Sequence, residues 1–232
     1  GDELVLEYVE ELDVNPSHQA VEYDNFDPAT ADPDAIVGDP EDCIDEWEFQ
    51  GNTNRCALYS QKFIIEELTD EEITWLLEHN VRTIVDLRAP AEAAKRPCRL
   101  AQHPDFSYHS MPVSTGDIVP LCPEDVPRSY MAMADEQMER ILQLVENAPT
   151  NVMYFCNAGK DRTGVLSALL LRRMGASRQE IVENFLITAD NLKEMLAEFV
   201  AKRPELSLNV VTPRAWYMET FLDRYEAREN AR

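Results

Sequence analysis

The stretch from Val152 to Leu171 constrains this chain more than any other. A β-favouring run, Val152-Met153-Tyr154-Phe155, ends on Cys156, and five residues separate that cysteine from Arg162. Gly159 and Gly164 flank the arginine, and the apolar run Val165 to Leu171 follows as a helix. A strand that turns sharply into a helix sets loop and helix N–H groups around one point. The helix dipole favours negative charge there, so the turn is an anion cradle. A thiol placed in that field is favoured as the nucleophilic thiolate. Arg162 presents a planar fork that grips two phosphate oxygens, which lysine cannot do. Cys156 beneath such a cradle is suited to phosphoryl transfer through a covalent phosphocysteine.

The stretch admits two other readings. A free cysteine is often only a small buried hydrophobe, but here Cys, Gly, Arg, Thr and a second Gly meet at one strand-to-helix junction. A nucleotide-binding loop requires Ser or Thr directly after its Gly-Lys pair, whereas Lys160 is followed by Asp161.

The run Cys156-Asn157-Ala158-Gly159-Lys160-Asp161-Arg162-Thr163-Gly164 resembles the signature loop of the Cys-X5-Arg protein tyrosine phosphatase superfamily, in its bacterial tyrosine/serine phosphatase branch. Further similarity spans about residues 52–227 through Asn54-Arg55, Leu68-Thr69-Asp70, Asp86-Leu87-Arg88, Glu92, Tyr130 and Ser177. The resemblance implies a metal-independent, cofactor-free phosphomonoesterase. Its substrate would be a phosphorylated protein, with phosphotyrosine first. A phosphoinositide or phosphoserine is the competitor within the enzyme class, and a low-turnover phosphate-binding module the competitor outside it. Phe155 departs from the family's usual histidine, and Cys56-Ala57-Leu58 and Tyr59-Ser60 depart from its upstream segment.

Roles follow for particular residues. Cys156 is the nucleophile and Arg162 the clamp on the transition state. The loop backbone over Asn157, Ala158, Gly159 and Lys160 supplies donors, and Gly159 lets the backbone approach the phosphate. Thr163 either donates to the sulfur or is an ordinary first-turn residue. Lys160 is either a rim charge suited to multiply phosphorylated substrates or the partner of Asp161. The resemblance offers Asp161 first and Asp86 second as general acid. Asp117 and Asp125 qualify by position in a Pro-rich, lid-like stretch over 112–127. The competing role for Asp86 is a strand-end partner of Arg88. Arg88, Lys95, Arg96 and Arg99 form a basic cluster that either lines the substrate entrance or is a solvated loop.

Charge is distributed unevenly. The net charge is −23, and the first fifty residues hold 17 Asp and Glu with no Lys or Arg. This argues against a nucleic-acid partner and divides the chain into an acidic extension, 1–50, and a phosphatase domain, 51–232. The extension is expected to be a solvated appendage, the sharper alternative being an autoinhibitory arm. No run reaches the ~20 apolar residues that span a bilayer. Five scattered cysteines, Cys43, Cys56, Cys98, Cys122 and Cys156, suggest neither a disulfide framework nor zinc, and the histidines show no ligand spacing. A reducing, cytoplasmic setting is expected, with export by a leader ahead of Gly1 left open. Oligomeric state is not legible.

The expected fold is α/β, a mostly parallel central sheet with helices on both faces. Short strands are expected near 4–9, 20–23 and 57–59. A capping box, Thr69 to Glu72, starts a helix, and strands follow over 81–87, near 106–109 and over 151–155. Helices are expected over 128–146, from the loop to Met174 with Gly175 as its stop, from the capping box Ser177 to Glu180 as far as about 186, from Asp190 to about Lys202, and from a Thr212 cap with Pro213 at its first position to about Ala227.

Overall fold

The computed structural model describes residues 57–59, 67–115, 120–203 and 207–231. The expectations for residues 1–50, and for Asp117, lie outside these residues. Among the described residues four strands form one sheet: β1 (Ala57–Tyr59), β2 (Val81–Asp86), β3 (Ser107–Ser110) and β4 (Asn151–Phe155), in the order β1-β4-β2-β3. Every pairing is parallel.

Side-chain alternation explains why both faces are covered. Val152 and Tyr154 of β4 and Val85 of β2 enter one core, while Met153, Phe155 and Ile84 enter another. A register shift between Val81 and Thr83 puts Val81 beside Ile84 in the second core, although strict alternation would separate them. The first core is roofed by α3 (Val126–Met133), α4 (Glu136–Asn147), α5 (Asp161–Met174), α6 (Arg178–Asn191) and α9 (Ala215–Asn230). The second is closed by α1 (Asp70–Glu78), a 3-10 turn over Arg99–Gln102, and Phe106. The chain is therefore α/β with helices on both faces. No helix among the described residues is long and apolar enough to cross a membrane.

Local signals account for several boundaries. Thr69 accepts the Glu72 N–H at 3.1 Å while Glu72 accepts the Thr69 N–H at 2.6 Å, so the capping box that opens α1 is complete. Ser177 and Glu180 make the same exchange ahead of α6. Helix α5 ends at Gly175, whose φ of 88° lets the Ala176 and Gly175 N–H groups reach back to Leu171 and Arg172.

Three expectations are corrected. The helix expected over 128–146 is two helices, because Asp135 leaves helical geometry and caps α4 by accepting the Met138 N–H at 3.0 Å. Helix α6 does not stop near 186. No Pro or Gly interrupts it, so it runs to Asn191, and α7 spans Lys193–Ala201 rather than starting at Asp190. The last helix begins at Ala215 instead, because Arg214 is extended, with φ −135° and ψ 140°, and takes the cap position expected of Thr212. A short α8, Leu208–Val211, precedes it.

The carboxyl ends of the central strands lie side by side, with Asp86 in register with Phe155 on one flank and Ser110 on the other. Hydrogen bonding continues past the strands, from Leu87 N–H to the Phe155 carbonyl at 2.9 Å and from Met111 N–H to the Asp86 carbonyl at 2.8 Å. This edge is where ligands of parallel sheets bind.

Candidate active site

The loop between β4 and α5 sits at that edge, on a central strand. Cys156 is nearly buried, and the Thr163 hydroxyl donates to its sulfur at 3.2 Å. Thr163 is in turn buried in the first turn of α5, so of its two expected roles the donor geometry is the one present. Gly159 has φ of 64°, a left-handed conformation that glycine adopts without steric cost. Gly164 serves a different need. A Cβ there would lie 3.1 Å from the Phe185 ring, so this glycine lets α5 approach α6.

The side chains of the loop are committed away from its centre. Asn157 donates to Glu92. Ala158 packs on a small cluster of Leu192, Leu196 and Val211 from α7, α8 and their approach. Lys160 is buried and donates to the Val211 carbonyl at 2.6 Å, with its ammonium 3.3 Å from Asp161 Oδ2. Lys160 is thus the partner of Asp161 and a tether to α8, and not a rim charge. The backbone of the loop is what remains for an anion.

Arg162 is held by α2 (Pro90–Lys95), a helix that Pro90 starts after the β2 edge. Glu92 of α2 receives Nη1–H at 2.6 Å and Nη2–H at 3.0 Å, and its Oε2 also accepts the Ala89 N–H at 2.7 Å. This end-on fork leaves the Nε–H and the second Nη2–H on the adjacent side of the guanidinium, a pair spaced for two phosphate oxygens. The Arg162 hydrogen bonds hold the Glu92 carboxyl below its usual range, and partial burial, which opposes this, is outweighed. A carboxyl lowered in this way stabilises the fold above the unfolded-state value of about 4.3, and the contribution is lost as pH falls through the folded-state value. Glu92→Gln should therefore cost about 1 kcal/mol at pH 7, allowing for solvent screening. The gap from wild type should close at low pH. Urea unfolding at pH 7 and in strong acid measures it, and a gap that persists in acid contradicts this account.

The four acid candidates separate clearly. Asp161 is about a third exposed at the start of α5, beside Arg162; its Oδ1 accepts the Tyr130 hydroxyl at 2.8 Å. Asp86 is corrected. It is 0% exposed and accepts from Arg88 Nε at 2.9 Å, Arg88 Nη2 at 2.7 Å and the Tyr108 hydroxyl at 2.5 Å. A carboxylate so enclosed is committed to holding Arg88 and Tyr108. Asp125 accepts from the Cys122 thiol and from Arg128. Asp117 lies outside the described residues.

Within the basic cluster, Arg88 fits neither of the two expected readings. Arg88 is 2% exposed, and its guanidinium lies 5.0 Å above the Phe155 ring. The phenylalanine that departs from the family pattern is therefore the floor of an internal cation site. Arg99 turns to the Leu68 carbonyl and Asp70. Lys95 and Arg96 are exposed at the end of α2. Among the described residues no group of three or more His, Cys, Asp and Glu is placed to hold a metal.

Glu92 and Tyr130 carry no role legible in the sequence beyond being points of resemblance. Glu92 is 70 residues from Arg162, and no periodicity links them.

A model described as the tyrosine phosphatase family matches residues 64–230. A curated relative from Nostoc commune, named tyrosine-protein phosphatase, is 25% identical over 181 residues, which are 73% of this chain and 62% of the relative. The chain thus spans less than two thirds of that relative's length. Two solved structures are similar at low overlap. A mutant form of Tk-PTP has a TM-score of 0.35 at 18% identity, covering 78% of this chain and 96% of its own. Kinase associated phosphatase, with serine for its catalytic-site cysteine, has a TM-score of 0.38 at 14% identity, covering 74% and 88%. Both overlaps are below half, and the fold rests on the chain's own sheet and register.

Proposed function

The chain belongs to the tyrosine phosphatase family, and from that premise we propose that it hydrolyses phosphomonoesters through a phosphocysteine on Cys156. One observation carries the reading. Thr163 donates to a nearly buried cysteine at the foot of a left-handed Gly159 turn, while Glu92 aims the unused side of Arg162.

The sulfur of Cys156 attacks phosphorus, and the S–P bond forms as the bond to the leaving oxygen breaks. Backbone N–H groups over residues 157–162 and the Nε–H, Nη2–H pair of Arg162 hold the equatorial oxygens. Asp161 gives its proton to the leaving oxygen. Its carboxylate then takes a proton from water as that water attacks the phosphocysteine, releasing phosphate and restoring the sulfur anion, which Thr163 supports.

Phosphotyrosine is the substrate class this reading favours. Lys160, whose charge would have suited a second phosphate, is spent on Asp161 and the Val211 carbonyl. The phosphatase domain is placed at 51–232, after the acidic segment 1–50. A catalytic thiol that must stay reduced fits the cytoplasm.

Turnover of a phosphotyrosine peptide, a phosphoserine peptide and an inositol bisphosphate tests the reading, with acid quench to trap phosphate on the Cys156 peptide. The phosphotyrosine peptide should lead in kcat/KM by at least about tenfold. Phosphate trapped on another residue, or none trapped during turnover, rejects the mechanism. An inositol bisphosphate in the lead rejects the substrate class alone.

A further inference from the structure

Tyr130 lies on α3, 31 residues before Asp161, yet its hydroxyl meets the first residue of α5. The ring is 1% exposed. Its faces and edges are set by Phe185 of α6, at 6.1 Å and 80°, and by Phe221 of α9, at 6.2 Å and 81°. Three helices thus lock the ring, and its hydroxyl is directed at Asp161. Burial pushes the phenol well above its ordinary value, with the Asp161 charge acting in the same direction, so the group stays an O–H donor. Asp161 itself is partly exposed and on a helix end, where a carboxyl would otherwise rotate. Its two oxygens have different surroundings. Oδ1 receives the Tyr130 hydroxyl at 2.8 Å, and Oδ2 lies 3.3 Å from the Lys160 ammonium.

We propose that Tyr130 is a positioning residue for proton transfer by Asp161: its hydroxyl holds Oδ1 and so fixes the rotamer of the carboxyl. The inference rests on Asp161 as the general acid. In the first half-reaction the carboxyl proton goes to the leaving oxygen while the S–P bond forms. The carboxylate so produced keeps the Tyr130 hydrogen bond and faces the Lys160 charge. In the second, the carboxylate takes back a proton from the attacking water as the S–P bond breaks. A fixed rotamer keeps the carboxyl aimed through both steps, and a misplacement of an ångström at such a group is costly.

Tyr130→Phe removes the hydroxyl and keeps the ring. Its kcat/KM is to be measured on aryl phosphates graded in leaving-group pKa, beside wild type, Asp161→Asn and the double variant. Alkylation of Cys156 by iodoacetate reports independently on the loop. The expected loss is about tenfold for poor leaving groups and under about twofold for good ones. Alkylation should be unchanged, and Tyr130→Phe should cause no further loss in the Asp161→Asn background. Equal loss across all esters, or altered alkylation, overturns the proposal in favour of a packing role. A wild-type profile in Tyr130→Phe alongside a steepened one in Asp161→Asn overturns it alone. An unsteepened profile in Asp161→Asn removes Asp161 as the acid, and the positioning role falls with it.

Discussion

Serine in place of Cys156 should abolish turnover of aryl phosphates, with kcat falling by at least about four orders of magnitude. The change exchanges one atom, and the surroundings tolerate it. The Thr163 hydroxyl that donates to sulfur at 3.2 Å can donate to oxygen, and Arg162 keeps its fork with Glu92. What is lost is chemical. A serine hydroxyl is a weak nucleophile without an adjacent base, and the groups around this position are donors: Thr163, Arg162 and the loop N–H groups. Affinity for an unreacted phosphotyrosine peptide should therefore stay within about threefold, since uniform binding is preserved while the bond-making step is removed. Calorimetric titration of the variant and steady-state assay of both proteins measure the two halves. Retained turnover above a hundredth of wild type would place the nucleophile elsewhere. Lost turnover together with lost peptide binding would mean that the cradle had collapsed.

Breaking the Asp86–Arg88 pair should be the most destabilising single change among the polar residues. Both side chains are buried, at 0% and 2% exposure, and Arg88 also donates to the Arg96 carbonyl at 2.7 Å while resting on Phe155. Burial works against the Arg88 charge, and the Asp86 hydrogen bonds and charge outweigh it, raising the guanidinium above its ordinary value. Asp86→Asn leaves that cation enclosed without a counter-charge, a loss of about 3–5 kcal/mol. For a domain of this size the melting temperature should drop by roughly 10 °C. Adding Arg88→Met should recover part of the loss, because the stranded charge is then gone. Thermal and urea unfolding of the three proteins provide the test. The same variants decide the remaining question about the acid. If Asp86→Asn leaves stability intact but steepens the leaving-group dependence of kcat/KM, Asp86 is the proton donor after all.

The parts of the molecule that were legible in sequence are those specified over a few residues. The capping boxes at Thr69 and Ser177, the Gly175 stop and the turn from Phe155 through Gly159 to Arg162 each work through contacts within about six positions. The parallel sheet followed from strands alternating with helices. What stayed hidden depends on which distant segments the sheet brings together. The β2 edge delivers Arg88 to Phe155, and α2 delivers Glu92 to Arg162, across 67 and 70 residues. Neither pairing leaves a periodic trace. The break at Asp135 was a different case. An Asp followed by Glu136 and Glu139 is a local N-cap signal, masked because Met131, Met138 and Ile141 keep a helical spacing across the break.

The link from Lys160 to the Val211 carbonyl has a bearing on synthesis. The strands that frame the loop are all made by residue 155, and α5 by residue 174. The ammonium of Lys160, however, has only its neighbour Asp161 as partner, and not the Val211 carbonyl, until residue 211 has been added and docked. A nascent chain that has folded its sheet therefore carries a cysteine loop held through Glu92 and through Asp161 to Tyr130, and gains its tie to α8 only when its final helices close over it. The ribosome thus releases this catalytic loop in finished form late, after nearly all of the scaffold is in place.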